Sequence, residues 1–281
     1  MGMGVNPLKK IPTEKYLVVK DQSVFKSNDL IQQSRFNLSL QEQKIILYLI
    51  SQITPYDEDF KLYEFSITDF CRICGINAAG ANYQELKDSI KSICDKSLWV
   101  RIEDQETLLR WIEKPYINRK SGTIKIRLDE DMKPFLLNLK KNYTSYELIF
   151  TLKMKSKYSI RLYEVVCSIH YHDLETYRQF FTLDEMKRML GAENYKTWQA
   201  FKERALMPAV ADINENSNKN VSVIPQQAAH SRAIIGVILE VSSKDSLVAL
   251  KLRSKIEHEF GYEQTSLWDN MIELGVIKDD E

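Results

Sequence analysis

Three groups of residues are of types that do chemistry at close quarters. The first is His170-Tyr171-His172. Two imidazoles one residue apart can hold a divalent metal when they sit on a strand, where alternate side chains share a face. A neighbouring Tyr would then be placed to attack a phosphodiester, which is the chemistry of a metal-dependent DNA nickase. The surroundings argue against it. The run "SKYSIRLYEVVCSIHY" (156–171) carries a helical pattern, and on a helix residues i and i+2 face apart. Histidines at a helix end, beside free carbonyls or Asp173, account for the pair. The second group is Cys71-x-x-Cys74, with Cys94 and Cys167 elsewhere. Zinc takes about four ligands, and no second pair follows, so these read as buried thiols and no metal or other cofactor is expected. The third group is Asn194, Lys196, Gln199, Lys202 and Arg204. Lys196, Gln199 and Lys202 recur at helical spacing, away from an apolar stripe of Trp198, Phe201, Ala205, Pro208 or Ala209, and Ile213. Side chains of this kind on a free helix face read base edges in the major groove. A solvated face has the same pattern, so the surrounding elements must decide. No phosphate-cradling G-x-x-x-x-G-K-[ST] loop and no specific carboxylate constellation points to an ATPase, helicase or polymerase. A non-enzyme is expected.

The elements around the third group occur twice. "FSITDFCRICGINAAGANY" (65–83) and "FTLDEMKRMLGAENY" (181–195) both open with Phe and a hydroxyl residue. Both reach a Gly ten residues on (Gly75, Gly191), and both end in Asn-Tyr. Upstream of each lies a buried-helix pattern, 39–53 and 156–171, with Leu47-Tyr48 matching Leu162-Tyr163. Downstream lies a longer helix, 82–100 and 194–214, the second of which Pro208 should kink or interrupt. Strand patterns follow: 98–104, 107–118 and 122–128 in the first half, 220–225 and 232–242 in the second. A short helix, a tight turn and a longer helix make a helix-turn-helix, and a β-hairpin after it makes a wing. The expected fold is α+β, two tandem winged-helix domains related by an internal repeat. The expected division is an arm (1–23), a first domain (24–148), a second (149–243) and a helical acidic tail (244–281).

Charge fits that plan once its distribution is considered. The 281 residues hold 39 basic and 39 acidic side chains, a net charge of zero. Eight acids and one Lys fall in 257–281, leaving 38 basic and 31 acidic residues, a balance of +7, in 1–256. A modestly basic body with an acidic tail is compatible with a polyanionic partner. The longest apolar run, Ala233–Leu239, is far too short to span a bilayer, and "MGMGVNPLKK" lacks the apolar core of a signal peptide. A cytoplasmic protein without a membrane partner is expected.

The segments "RFNLSLQEQKIILYLISQI", "INRKSGTIKIRLDEDMKPFLLNL", "MKSKYSIRLYEVV" and "FKERALMPAVADINE" resemble plasmid replication initiators of the RepA/RepB type, over about Val24 to Val241. Such proteins bind repeated origin sequences, iterons. The resemblance implies two winged helices on one face of double-stranded DNA, the second domain doing most of the base reading. It also implies dimers formed through the first domain, monomers active at the origin, and recruitment of host replication proteins. A transcriptional repressor with no origin role would present the same DNA-binding surface; the nickase, of the rolling-circle His-apolar-His type, is the minor alternative. The second wing and the segment after Val241 match no motif of the family.

In this frame Asn194, Lys196, Gln199, Lys202 and Arg204 are the expected base readers. Phosphate contacts are expected from Lys87 and Lys91, four apart on a helix, and from Arg119 and Lys120 at the first wing tip. Lys153, Lys155 and Lys157, together on an extended segment, and Arg161 are expected to do the same. In the tail, 244–260 reads as a helix able to pack back on the body. Beyond it, Gln264, Leu267 and Trp268 resemble a short sliding-clamp ligand; the same Leu267 and Trp268, with Met271 and Ile272, also suit the inner face of a closing helix.

Overall fold

A computed structural model describes residues 13–15, 22–54, 57–73, 82–169 and 175–260. In chain order the elements of the first half are β1 (Thr13–Lys15), β2 (Ser23–Ser27), α1 (Asn28–Gln32), β3 (Ser34–Arg35) and α2 (Leu40–Ile50). Then come β4 (Leu62–Ser66), α3 (Ile67–Ile73), α4 (Asn82–Asp95), β5 (Ser97–Ile102), β6 (Gln105–Arg110), β7 (Tyr116–Asn118), β8 (Thr123–Ile126), α5 (Lys133–Leu136) and β9 (Tyr143–Glu147). The second half holds α6 (Ile149–Leu152), α7 (Lys157–Ile169), β10 (Thr176–Thr182), α8 (Leu183–Leu190), α9 (Trp198–Phe201), α10 (Met207–Asn216), β11 (Lys219–Gln227), β12 (Ile234–Ser243) and α11 (Ser246–Glu259).

Local chemistry fixes the starts of the main helices. Ser39 and Thr182 cap α2 and α8 in full capping boxes with Glu42 and Glu185. Gly191 ends α8 in the left-handed region at φ 63°, which costs glycine nothing. Each half then builds the same unit. In the first, β4 pairs antiparallel with β8, and β8 with β7, so α3 and α4 are flanked by the sheet β4-β8-β7, with β1 added parallel at its edge. In the second, β10 pairs with β12 and β12 with β11, and α8 to α10 are flanked by β10-β12-β11. These are two winged helices of the same topology. The repeated Phe-hydroxyl pair ends the first strand of each: Phe65 and Phe181 point into the core, and Ser66 and Thr182 pass the chain into a helix. Leu47, Tyr48, Leu162 and Tyr163 are likewise buried.

Some expected elements differ. Strand 107–118 is two strands in two sheets: β6 pairs with β5, β7 with β8, and the break falls at Trp111–Pro115. Trp111 is buried, and Pro115 cannot donate to a ladder. Strands β4 and β10 have no counterpart in the sequence reading. Helix 194–214 begins only at Trp198, capped by Thr197, and widens into a π turn at Lys202–Leu206 just before Pro208. Pro208 supplies no N–H and crowds the preceding turn, so the helix loosens there. The wider turn lets Ala205 and Leu206 both face the core, and Ala209, not the exposed Pro208, continues the stripe.

Helix α7 is the common wall. It packs on α1, α2 and β9 on one side and on α8 and α10 on the other. Helix α11 lies against α6, held by Arg253 to Glu147 at 2.9 Å and by a Lys153–Glu259 ion pair.

Candidate nucleic-acid interface

In the first unit α4 buries Leu86, Ile90 and Ile93. This leaves Lys87 and Lys91 on its outer side, where they differ. Lys91 is held by Asp95 one turn on, at 2.5 Å, and the Asp95 hydrogen bond and charge raise its ammonium pKa. Lys87 lies 6.0 Å from the centre of the Tyr83 ring. The wing reaches the same ring. Asn118 Oδ1 accepts from the backbone N–H groups of Lys120 and Ser121, and Gly122 at φ 62° completes the turn. From this tip Arg119 folds back over Tyr83, 5.1 Å from the ring centre. Among the described residues no carboxylate pairs with Lys87, Arg119 or Lys120. Two cations beside one aromatic ring without a counter-anion repel each other, and an anion bound near both would relieve that repulsion.

In the second unit the expected readers separate. Asn194 and Lys196 precede Thr197 and lie in the turn, not on the helix; Lys196 Nζ is 3.4 Å from the Glu193 carbonyl. The common face of Lys196, Gln199 and Lys202 is therefore corrected to Gln199 and Lys202 alone. Thr197 is the cap and Trp198 the first helical residue, because the Thr197 hydroxyl accepts from the Ala200 N–H. Gln199 donates to Glu203, and Glu203 and Arg204 are exposed. The second wing carries cations and amides that the sequence reading passed over. His230 turns the chain at φ 58°, and Arg232 stands exposed beside it without a carboxylate partner among the described residues. "QQAAHSR" between two apolar strands was the available signal. Tyr83 was also passed over, although it is the Tyr of the first repeated Asn-Tyr.

The lysines expected to cluster on an extended segment do not. Residues 153–157 leave α6, turn and enter α7, so each lysine meets a different element. Lys153 pairs with Glu259, Lys155 with Glu215 at 3.0 Å, and Lys157 donates to Asn37 at 2.9 Å. Burial, with the Lys96 charge adding to it, lowers the Lys157 ammonium. Arg161 is not a phosphate contact: it is 4% exposed and its donors are consumed internally.

His170 and His172 lie outside the described residues, directly after the end of α7, as do Cys74 and the tail motif of Gln264, Leu267 and Trp268. Cys71 is buried, which raises its thiol, while Cys94 is exposed. Among the described residues no cluster of His, Cys, Asp and Glu could hold a metal ion, and no helix is long and apolar enough to cross a membrane.

Comparison with known proteins also finds two successive units, the first running on through most of α7. Models described as Initiator Replication protein, WH1, and Initiator Rep protein, WH2, match residues 23–167 and 182–241. A curated Replication initiation protein of Escherichia coli is 26% identical over 213 residues. That match covers 71% of this chain but 64% of the relative, so it spans a little under two thirds of that protein's length. A solved Pi initiator protein in complex with iteron DNA is similar in fold, with a TM-score of 0.67 and 18% identity over 82% of this chain and 100% of that one. Since the WH1 model alone covers more than half of the sequence and the WH2 model falls on its repeat, the chain belongs to the initiator replication protein family.

Proposed function

We propose that this protein initiates plasmid replication by binding iterons, repeated double-stranded origin sequences, through both winged helices, deforming that DNA and recruiting host replication proteins without catalysis of its own. The observation that carries the reading is the convergence of Lys87 and Arg119 on Tyr83, helix and wing together, in one of two units with the same topology. The second unit supplies Gln199, Lys202 and Arg204 on its helix, Asn194 and Lys196 in the turn before it, and Arg232 on its wing. Base readout is assigned to the helix residues and phosphate contact to Lys87, Arg119, Lys120 and Arg232. Lys91, Lys153, Lys155 and Lys157, each engaged elsewhere, are secondary contacts at most. The relative whose solved complex holds iteron DNA has the same fold. The domains are taken as 24–148 and 149–243, with α7 serving both.

Self-association through the first domain belongs to this reading. Strand β6 is the outer strand of its sheet, and Leu108 on it, 51% exposed, faces Trp99 on β5, 47% exposed. A free edge with an apolar pair suits a second copy. Footprinting on the origin of the replicon that encodes the protein tests the proposal. Protection of evenly spaced direct repeats is the expected result; protection of a promoter alone would favour the repressor.

A further inference from the structure

The second domain's helix-turn-helix is not free to choose its angle to the first domain. The turn that ends α8 meets Arg35 and Phe36 of the first domain. A Cβ on Gly191 would lie 3.1 Å from the Phe36 carbonyl oxygen, and Arg35 pairs with Glu193 at 2.9 Å. At the centre of this seam is Arg161, on the wall helix α7. Its Nε donates to the Met189 carbonyl of α8 at 2.9 Å, and its Nη2 to the Ile31 carbonyl of α1, also at 2.9 Å. Its Nη1 meets Glu164 at 3.0 Å, and its guanidinium lies 4.4 Å from the centre of the Phe36 ring. A planar guanidinium presents its donors in a fixed fork, so three partners on three elements define its position and each other's. Thr197, which starts the reading helix, lies eight residues beyond Met189. Any rotation of α8 about the seam is therefore carried to the base-reading side chains.

We propose that Arg161 is a positioning residue that joins the helix-turn-helix of the second domain to the first, and so sets the spacing and phase at which the two domains can read one DNA site. The proposal rests on the two-domain DNA reading given above. A phosphate contact would depend on Arg161 being reachable; this role depends on its being buried. It also predicts an effect that loss of stability alone would not produce. One base pair inserted between the sub-sites moves them apart by about 3.4 Å and rotates them by about 35°. A rigid pair of domains must then give up contacts on one side, whereas a loosened pair can follow.

The test compares a natural repeat with one carrying that insertion, using the full chain and variants shown by circular dichroism to be folded at the assay temperature. The parent should bind the lengthened site about tenfold more weakly, the scale of one or two lost base contacts. For Arg161→Met the penalty should shrink to about threefold or less, and Arg161→Lys, which cannot reach both carbonyls at once, should behave similarly. The exposed pair Arg35→Ala with Glu193→Ala, which cannot unfold the core, should relax the penalty in part. The second measurement needs no DNA: fluorophores at Ser121 and Ser231, one on each wing, should report a narrow distance distribution in the parent and a broad one in the Arg161 variants. Folded variants that keep the parent's insertion penalty, or its distance distribution, overturn the proposal. Failure of the parent to prefer repeat DNA at either spacing would overturn the DNA reading instead, and the distance distribution would then decide the role of Arg161.

Discussion

Lys26, Tyr146 and Arg161 converge on Glu164, a carboxylate with almost no solvent contact. Its carboxylate is 1% exposed and accepts from Lys26 at 2.5 Å, Tyr146 at 2.6 Å and Arg161 at 3.0 Å. Burial alone would raise its pKa. The Lys26 and Arg161 charges and the hydrogen bonds from Lys26 and Tyr146 together outweigh that and hold it below the ordinary 4.5. Glu164→Gln keeps the shape and removes the charge, leaving two buried cations facing a neutral amide. Breaking a buried pair in this way costs about 3–5 kcal/mol, and about 2–4 °C of melting temperature per kcal/mol makes a fall of about 6–20 °C. The assay is thermal unfolding by circular dichroism at pH 7. A group whose folded pKa is depressed contributes stability that is present above its unfolded value and lost as pH falls through the folded one. The gap between parent and variant should therefore be full at neutral pH and narrow below about pH 4.5, the carboxylate's ordinary value. Adding Lys26→Met to the variant removes one stranded cation and should restore part of the loss. A Glu164→Gln protein that melts within about 2 °C of the parent at pH 7 would refute the network as a source of stability.

Three further outcomes can be checked on the same protein. Lys202→Ala should lower specific binding about 5–150-fold while changing non-specific binding little, whereas Arg119→Ala should weaken both alike and reduce the salt slope by about one; equal effects on the two kinds of site from Lys202→Ala would remove it from the base readers. Supercoiled origin DNA with Mg²⁺ or Mn²⁺ should give no nicked product or covalent adduct, and a nick abolished by His170→Ala with His172→Ala would establish the nickase. Leu267→Ala with Trp268→Ala should abolish binding to a sliding clamp and leave the melting temperature unchanged if the segment is a clamp ligand; a closing helix would instead lose about 3–5 kcal/mol for the Trp alone, with no clamp binding by the parent.

What could be read from the sequence was local. Ser39 with Glu42 and Thr182 with Glu185 announce helix starts within four residues, and Gly191 announces an end. The repeated Phe-hydroxyl pair and the two hairpins needed no knowledge of distant partners. Strands β4 and β10 were missed because polar residues break their patterns, Glu64 in one and Arg178 and Gln179 in the other. They are strands because β8 and β12, about 60 residues later in each case, pair with them. The split at Pro115 and the helix start at Thr197 both had signals in the sequence, a proline and a capping hydroxyl. Arg161 had none. Two of its partners are backbone carbonyls, of Ile31 and Met189, 130 and 28 residues away, and a carbonyl has no sequence signature. Set among Lys153, Lys155 and Lys157 it reads as one more surface cation, and only burial separates it from them.

The most direct test of the central claim is hydroxyl-radical footprinting of one repeat bound by the full chain, set beside Lys202→Ala. Two winged helices on one face of a duplex predict two protected stretches about one helical turn, 10–10.5 base pairs, apart. Loss of Lys202 should weaken one of the two first and leave the other in register. A single protected stretch, or two that weaken together, would contradict reading by two domains.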